Sequence, residues 1–426
     1  MKNDKTIEVV TEGELCTGCG TCVSMCPNDA LGMVINKSRG IYVPQLDRER
    51  CNECGICLDV CPGHAVDFRQ LNLAFFGRQP ENLLLGNYLR CYIGHATDYD
   101  TRYNSASGGS ITALLAFALE EGIIDGALVT RMTEGNPLEP QPFVARTREE
   151  IISAAKSKYC PVPANIALKE IPKEEGKFAV VGLPCHIHGI RKAELVNKKL
   201  KEKIALHLGI FCGGVATFLA TEFILNKVEV GKGRVRKLDY RGVGWPGKMR
   251  IALDDSEVLL PFRDYYESGF SSHFFSKRCE LCCDGANEFA DISFGDAWDL
   301  PEVSDDKLGT SLIVSRSKAG EEVLTGARLD GGIELKEISA DRVLQSQRGV
   351  LLGKKRTVKA NLFVFKLLGG QVPAYDLQLL EPKRSAYLKS ALRYAYWRLN
   401  LASGRPLWRL IGAQSKLMRR LSGTIQ

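Results

Sequence analysis

The chain has 426 residues, 45% of them hydrophobic and 25% charged, the balance of a globular protein long enough for about three folding units. Its first residues, Met1-Lys2-Asn3-Asp4-Lys5, contain no apolar stretch and no run approaches the ~18 apolar residues of a membrane span, so a cytoplasmic location is expected. Fifteen cysteines without a secretory signal argue against disulfides and for metal chemistry in a reducing compartment.

One twelve-residue pattern occurs twice: C-T-G-C-G-T-C-V-S-M-C-P from Cys16 and C-N-E-C-G-I-C-L-D-V-C-P from Cys51, each cysteine recurring 35 positions later. This is the spacing of bacterial two-cluster ferredoxins, in which three cysteines wrap a loop around one cubane and the fourth ligates the other. Cys16, Cys19, Cys22 and Cys61 are therefore assigned to one [4Fe-4S] centre, and Cys51, Cys54, Cys57 and Cys26 to its mate. Structural zinc sites use C-x2-C pairs rather than triplets followed by C-P. Pro27 and Pro62 stop the chain from continuing regularly after each fourth ligand. Two adjacent one-electron centres with no open substrate position read as a wire.

Residues 69 to 104 carry turn signals and little else; Cys91 and His95 fall there, and a lone cysteine is more often a small buried hydrophobe than a ligand. Ser105-Ala106-Ser107-Gly108-Gly109-Ser110 then opens an amphipathic helix marked by Ile111, Leu114, Leu115, Ala118 and Leu119 and stopped at Gly122. Such a turn leaves amides that suit a phosphate, although Ser and Gly before a helix are more often an ordinary cap. Ile123 to Thr130 is expected as a strand. Lys156-Ser157-Lys158-Tyr159, two cations beside an aromatic, is a second candidate; surface lysines are its plain alternative.

Two later segments share one grammar. Phe178 to Val181 is a buried-strand run ending in Gly182-Leu183-Pro184-Cys185, and Ile204 to Phe211 is another, ending in Cys212-Gly213-Gly214. As parallel neighbours they would deliver both cysteines to the carboxyl edge where α/β sheets bind ligands. Cys279-Glu280-Leu281-Cys282-Cys283-Asp284 offers the remaining thiols, so Cys185, Cys212, Cys279 and Cys282 form a four-cysteine site in which Cys283 is a substitute for Cys282. Zinc competes there, but a wire needs a redox-active receiver. His186 and His188 flank the site as supporting or core histidines. Gly242-Val243-Gly244-Trp245-Pro246-Gly247 matches G-x-G-x-x-G, yet Pro246 interrupts it and a strand, Lys248 to Leu253, follows; it reads as a turn between strands, not a dinucleotide fingerprint.

Taken together, Ser107-Gly108-Gly109, Ser157-Lys158-Tyr159, Gly182 to Gly189, Phe211-Cys212, the Cys279-x2-Cys282-x-Asp284 run and Ala290 to Asp296 resemble the coenzyme F420 hydrogenase/dehydrogenase beta-subunit family over about residues 80 to 350. That family also holds F420H2-oxidising subunits and 7-hydroxymethyl chlorophyll a reductases. The resemblance implies a mixed α/β domain binding FAD beside a [4Fe-4S] cluster on Cys185, Cys212, Cys279 and Cys282. It implies FAD contacts from Ser107, Gly108, Gly109 and Ser110 and from Ser157, Lys158 and Tyr159, and places Asp291 and Asp296 near the cofactors, with structural hydrogen bonding as their plain alternative. Gly213-Gly214-Val215 departs from the usual pattern, which bears on the substrate.

From Pro382 to Gln426 there are ten Lys/Arg and no Asp or Glu, more than the whole chain's +7, which leaves the rest at −3. Three cubanes at about −2 each would bring the assembled protein to about +1, so no nucleic-acid partner is expected. Leu407, Leu410, Ile411, Leu417, Met418 and Leu421 share one helical face and Arg405, Arg409, Lys416 and Arg420 another, a pattern for a membrane surface, an acidic partner or packing on its own domain.

The expected architecture is α+β to α/β: a ferredoxin domain over 1–75, a flavin and iron-sulfur domain over 76–350, and a basic helical extension over 351–426. The expected function is hydride exchange between FAD and an organic carrier, coenzyme F420 first, with single electrons passed through three [4Fe-4S] clusters to or from a ferredoxin or complex subunit. The rival is a relay subunit with no substrate of its own. No catalytic residue is assigned.

Overall fold

The computed structural model describes residues 5–266, 270 and 273–403. The amphipathic segment carrying Leu407 to Leu421 therefore lies outside the described residues.

In the N-terminal part each cysteine triplet runs into a one-turn helix, Thr21–Ser24 or Ile56–Asp59, entered through a glycine in the left-handed region, Gly20 at φ 86° and Gly55 at φ 80°. Only glycine takes that conformation at little cost, so the repeated C-G-x-C grammar is a backbone requirement. Between them an antiparallel hairpin joins β1 (Leu31–Asn36) to β2 (Ile41–Leu46), with Leu31 opposite Leu46. A short β3 (Ala65–Val66) closes the unit.

The centre is an eight-stranded sheet. Its members in chain order are β4 (Arg90–Ala96), β5 (Gly126–Thr133), β6 (Asn136–Ala145), β7 (Phe178–Gly182) and β8 (Ile204–Ile210). A three-stranded antiparallel excursion follows, of β9 (Lys237–Asp239), β10 (Lys248–Ala252) and β11 (Glu257–Pro261). The chain then returns with β12 (Ile292–Asp296), β13 (Ser311–Ser315) and β14 (Ile333–Ile338). The order is β14-β4-β13-β12-β8-β7-β5-β6, and β5, β7, β8 and β12 run parallel.

Both faces of this sheet are covered, which is why its middle strands read as unbroken apolar runs. Ala127 and Val129 face one apolar cluster with Leu114, Leu115 and Leu208, while Leu128, Phe178 and Val180 face another with Ile187 and Ile190. The strand expected from Ile123 begins at Gly126 instead, because the amides of Ile123 and Ile124 both donate to Ala118 O and prolong the cap of helix Ser110–Glu120. The Gly242 to Gly247 segment is the turn between β9 and β10, which pair antiparallel.

The C-terminal part returns to the beginning of the chain. Strand β15 (Ala374–Tyr375) pairs in parallel with β3, and helix Val358–Leu367 packs on helix Arg384–Ser403 through Phe365 and Tyr394. The ferredoxin unit is also held by Lys192, whose Nζ donates to Cys61 O at 3.0 Å and Ala65 O at 2.6 Å, and by the Asn165 amide, which donates to Cys19 O at 2.9 Å. It is thus packed on the large domain by backbone contacts on several sides. No helix among the described residues is long and apolar enough to cross a membrane.

Beneath β8 lies a buried ionic knot. His207 presents Nδ1 to Asp291 Oδ2 at 2.9 Å and Nε2 to Glu194 Oε1 at 2.7 Å, and Arg191 joins both carboxylates. With a carboxylate at each ring nitrogen, only the doubly protonated imidazolium satisfies both. Burial and Arg191 oppose that charge, but Glu194 and Asp291 outweigh them and hold His207 above the usual histidine range. Burial likewise opposes the two carboxylates, and His207 and Arg191 keep both below theirs. The His207 contribution is therefore complete below its unfolded value of 6.5 and is lost as pH rises through the raised value; the carboxylate contributions are present above about 4.5 and lost on acidification. Thermal stability should peak between those limits. His207→Phe should cost on the order of 3 kcal/mol by stranding buried charges, and should flatten the alkaline limb in anaerobic melts across pH. An unchanged alkaline limb in the variant would assign that limb to other groups.

Candidate redox site

The first cysteine set, Cys16, Cys19, Cys22 and Cys61, is buried throughout. The second is not: Cys26, Cys51 and Cys57 are half-buried, Cys54 is exposed, and these four thiols line one surface pocket together. The repeat persists at the level of hydrogen bonds. The Gly18 amide donates to Cys16 Sγ at 3.3 Å, and the Glu53 amide to Cys51 Sγ at 3.4 Å, two residues on in both copies. Amides aimed at sulfur favour the thiolate form. Burial, then repulsion from Cys61, nevertheless pushes Cys16 up to about 12, and burial with Cys19 pushes Cys61 up to about 11. A buried set of thiols becomes a set of thiolates only when a metal supplies the positive charge, so the donor set fits an iron-sulfur centre.

The third set is assembled from three separate stretches. Strands β7 and β8 are parallel neighbours, with Gly182 opposite Gly209, so Cys185 in the first turn of helix Pro184–Val196 and Cys212 just past β8 emerge on the same carboxyl edge. Cys212 is fixed by its amide donating to Gly285 O at 3.0 Å. Cys279 sits in the short helix Lys277–Glu280, where its Sγ accepts from Val215 N and Ser276 Oγ, each at 3.4 Å. Cys185, Cys212, Cys279 and Cys282 line a single cavity, and Cys16 of the ferredoxin unit forms part of its wall. Cys283 is turned away, fully buried among Phe68, Phe289 and Val358. Of the two adjacent cysteines it is therefore Cys282 that faces the cavity. Burial followed by the neighbouring thiols pushes Cys212 up to about 12, and raises Cys185 strongly, with Cys19 among its neighbours.

Two cations face this cavity. Arg278 is 4% exposed; its Nη2 donates to Pro62 O at 2.7 Å, whereas Nε and Nη1 have no hydrogen-bond partner, the nearby Tyr375 hydroxyl donating to Leu281 O. Lys354 is 7% exposed and donates from Nζ to Cys279 O at 2.7 Å. Buried donors left without acceptors beside a ring of thiols are what an anionic cluster would satisfy. His188 Nε2 lies 2.8 Å from Asp284 Oδ2 on the cavity wall. His186 is a structural residue: Leu183 N donates to its Nδ1, its Nε2 faces Val162 O at 3.1 Å, and burial lowers it to about 4. Cys91 and Cys160 are buried in apolar clusters and do not line this cavity.

The Ser107 to Ser110 loop enters its helix through Gly109 at φ 74° and packs against β4 and β13. Ser107 Oγ donates to Thr310 O, Ser110 Oγ to Gly94 O, and the Gly108 amide to Ser311 Oγ, so these polar atoms are already taken up by neighbours. Lys156 pairs with Asp239 at 2.8 Å. Lys158 folds back on the end of helix Arg148–Ser153, donating to the carbonyls of Ala154, Ala155 and Lys156, and its burial lowers it to about 7. Tyr159 meets Arg241 Nη1 at 3.3 Å.

Arg241 carries no signal in the sequence. It is 1% exposed, forks onto Asp296 at 2.8 and 3.2 Å, and lies 4.7 Å over the Phe262 ring. Trp245, from the turn that mimics a dinucleotide motif, donates Nε1 to Asp296 Oδ1 at 2.9 Å and packs on Trp298 at 4.6 Å. Gly309 lies between this centre and the loop, where a Cβ would meet Ser107 O at 2.7 Å and Trp245 at 3.2 Å. Tyr159 and Tyr266, with ring centroids 5.5 Å apart, extend the aromatic cluster. Asp296 is thus the anchor of an arginine and aromatic centre, while Asp291 belongs to the structural knot beneath β8.

Comparison with known proteins places these parts in context. Residues 91–169 match the sequence model for the N-terminal part of the coenzyme F420 hydrogenase/dehydrogenase beta subunit, and residues 175–341 match the model for its C-terminal part. Residues 15–65 match a 4Fe-4S dicluster domain. Similar proteins include the coenzyme F420 hydrogenase subunit beta of Methanosarcina barkeri, 32% identical over 267 residues covering 61% of this chain and 85% of that one. The coenzyme F420-dependent sulfite reductase of Methanocaldococcus jannaschii is 27% identical over 359 residues, 81% of this chain and 51% of that one. Among solved structures, a chain of the F420-reducing [NiFe] hydrogenase complex from Methanosarcina barkeri superposes with a TM-score of 0.54 at 26% identity, covering 68% of this chain and 98% of that one. With both halves of the beta-subunit sequence following the dicluster cysteines in one chain, this protein belongs to the coenzyme F420 hydrogenase/dehydrogenase beta-subunit family and carries an N-terminal 4Fe-4S dicluster domain.

Proposed function

We propose that this chain is an iron-sulfur flavoprotein oxidoreductase that exchanges a hydride with an organic carrier, coenzyme F420 first, and exchanges single electrons with a partner protein. The observation that carries the reading is the shared cavity: four thiols from three stretches of the large domain, with Cys16 of the dicluster domain on the same wall. When bound, [4Fe-4S] clusters supply one-electron steps and FAD supplies the junction with two-electron chemistry.

The residues proposed to hold these groups are Cys16, Cys19, Cys22 and Cys61; Cys51, Cys54, Cys57 and Cys26; and Cys185, Cys212, Cys279 and Cys282. Ser107 to Ser110 and Ser157 to Tyr159 are proposed to border the flavin, with Arg241 and Asp296 holding the aromatic wall between them. The F420 preference draws on the names of the relatives and on the absence of a dinucleotide fingerprint, the Gly242 segment being a connection between antiparallel strands. The partner is proposed to meet the chain at Cys54, the exposed thiol of the second set. A relay subunit without a substrate is the second reading, favoured by the intramolecular partners that Ser107, Lys156 and Lys158 already have.

Anaerobically purified protein should contain about twelve irons and as many sulfides, from three cubanes. Cys185→Ser or Cys212→Ser should remove about four and leave the dicluster pair intact; about eight irons with zinc in the wild type would remove the third centre from the proposal.

Flavin should be released on denaturation, and flavin bleaching should follow addition of reduced F420; rapid bleaching by NADH alone would overturn the carrier and spare the junction, whereas protein that never binds flavin leaves the relay reading. Because Lys158 is lowered to about 7, its charge is present at pH 6 and largely gone at pH 8. Flavin retention in the wild type should weaken across that interval, and Lys158→Ala should lower retention and remove the pH dependence.

We also propose that the basic C-terminus meets a membrane surface or an acidic partner. Removing residues 404 to 426 spares Arg393 and Tyr394, which bind Glu280 and pack on Phe365. The truncated protein should keep its cofactors and lose sedimentation with anionic vesicles at low salt; a full-length protein that ignores such vesicles excludes the membrane contact.

A further inference from the structure

We infer that Arg278 and Lys354 are positioning residues that raise the reduction potential of the third centre, an inference that rests on the proposed cluster at Cys185, Cys212, Cys279 and Cys282. Both are buried cations on the wall of that cavity, and among the described residues neither has a carboxylate in salt-bridge contact. Proteins retain a buried charge when a counter-charge faces it. A carboxylate on the wall, Asp284, is engaged by His188 at 2.8 Å and by the amides of Asn287 and Glu288. Lys354 has Cys282, Cys279 and Cys212 as its closest electrostatic neighbours, ahead of Glu280, which Arg393 engages; Arg278 has the Tyr375 ring at 5.6 Å and then Cys282.

The geometry fixes each cation from a different direction. Arg278 is tied to the dicluster domain by its bond to Pro62 O, next to Cys61, which leaves Nε and Nη1 without acceptors. Lys354 comes from the helical turn Gly353–Thr357, beyond residue 341 where the family match ends, and is held by Cys279 O. Its neighbour Lys355 points elsewhere, to Glu288. The C-terminal extension thus contributes a charge to a site whose thiols all come from the family domain.

The consequence is electrostatic. A four-thiolate cubane goes from about −2 to about −3 on accepting an electron. Fixed positive charge in a water-poor site stabilises the reduced state more than the oxidised one, so its removal shifts the midpoint in the negative direction.

The test is an EPR-monitored redox titration of anaerobic full-length protein with iron analysis of each variant. Lys354→Gln should retain the wild-type iron content and make reduction of one centre at least tenfold less favourable, about 59 mV for a one-electron couple. The two dicluster centres should not move, and Lys354→Arg should restore the midpoint. Arg278→Gln reads the other cation independently and should shift the same centre in the same direction. Full iron with every midpoint unchanged in both Gln variants, or a shift confined to the dicluster centres, would overturn the inference while leaving the third cluster in place. A wild-type protein with only about eight irons would instead remove the proposed cluster, and the inference with it.

Discussion

Two parallel strands side by side govern the layout of this molecule. Because β7 and β8 run together with Gly182 opposite Gly209, the chain leaves the sheet twice at nearly the same place, with a cysteine just beyond each strand. The glycines matter there: a Cβ on Gly209 would lie 2.5 Å from the Asn287 side chain, and one on Gly182 would lie 2.7 Å from His186. The stretch that brings Cys279 and Cys282 can therefore close over the sheet edge, and it is locked down by Asn287, whose Nδ2 donates to Gly182 O and Ile210 O. Arg316 completes the lock with bonds to Leu85 O, Asn87 O, Ala286 O and Ser293 Oγ.

A second constraint is the ordering of the three thiol sets by depth. The third set shares its cavity with Cys16, Cys185 has Cys19 as an electrostatic neighbour, and Cys22 has Cys57. The first set is buried and the second reaches solvent at Cys54. On the proposed reading this is a line with one end at the large domain and the other at the surface, and the first set has no solvent exit of its own. The backbone contacts of Lys192, Arg278 and Asn165 to the dicluster domain then acquire a purpose beyond stability, since electron transfer needs a fixed separation that a flexible linker would not keep.

The sequence shows most plainly what is local. Cysteine spacing in the ferredoxin repeat is set by one loop and its left-handed glycine, so the proposed grouping of those eight cysteines rests on local sequence alone. The parallel pairing of β7 and β8 is readable because buried parallel strands need apolar runs and short exits. The turn at Gly242 is readable through Pro246. What stayed hidden depends on long-range contacts. Arg241 and Asp296 are far apart in the chain and meet only after the β9 to β11 excursion folds back; nothing in R-G-V-G-W-P marks an arginine that is 1% exposed. The choice between Cys282 and Cys283 turns on which way two adjacent side chains point after a short helix, and composition is silent on that. Lys354 sits in an ordinary-looking basic run, and only the fold turns it inward.

Arg241 and Lys354 also share a physical logic. Each is a cation that the sequence would assign to the surface and that the fold buries, yet their surroundings are opposite. Arg241 is answered within the protein by a two-pronged bond to Asp296 and by the faces of Phe262 and Trp298, so its charge is neutralised inside an aromatic cluster. Lys354 and Arg278 have no carboxylate in salt-bridge contact among the described residues, only carbonyl oxygens, thiols and, for Arg278, the Tyr375 face at 5.6 Å, so their charge is available to whatever the cavity holds. A neutralised cation builds a site, whereas an unneutralised one biases the chemistry inside it. The chain places the first kind beside the proposed flavin border and the second beside the proposed cluster, where a change in net charge is the event that matters.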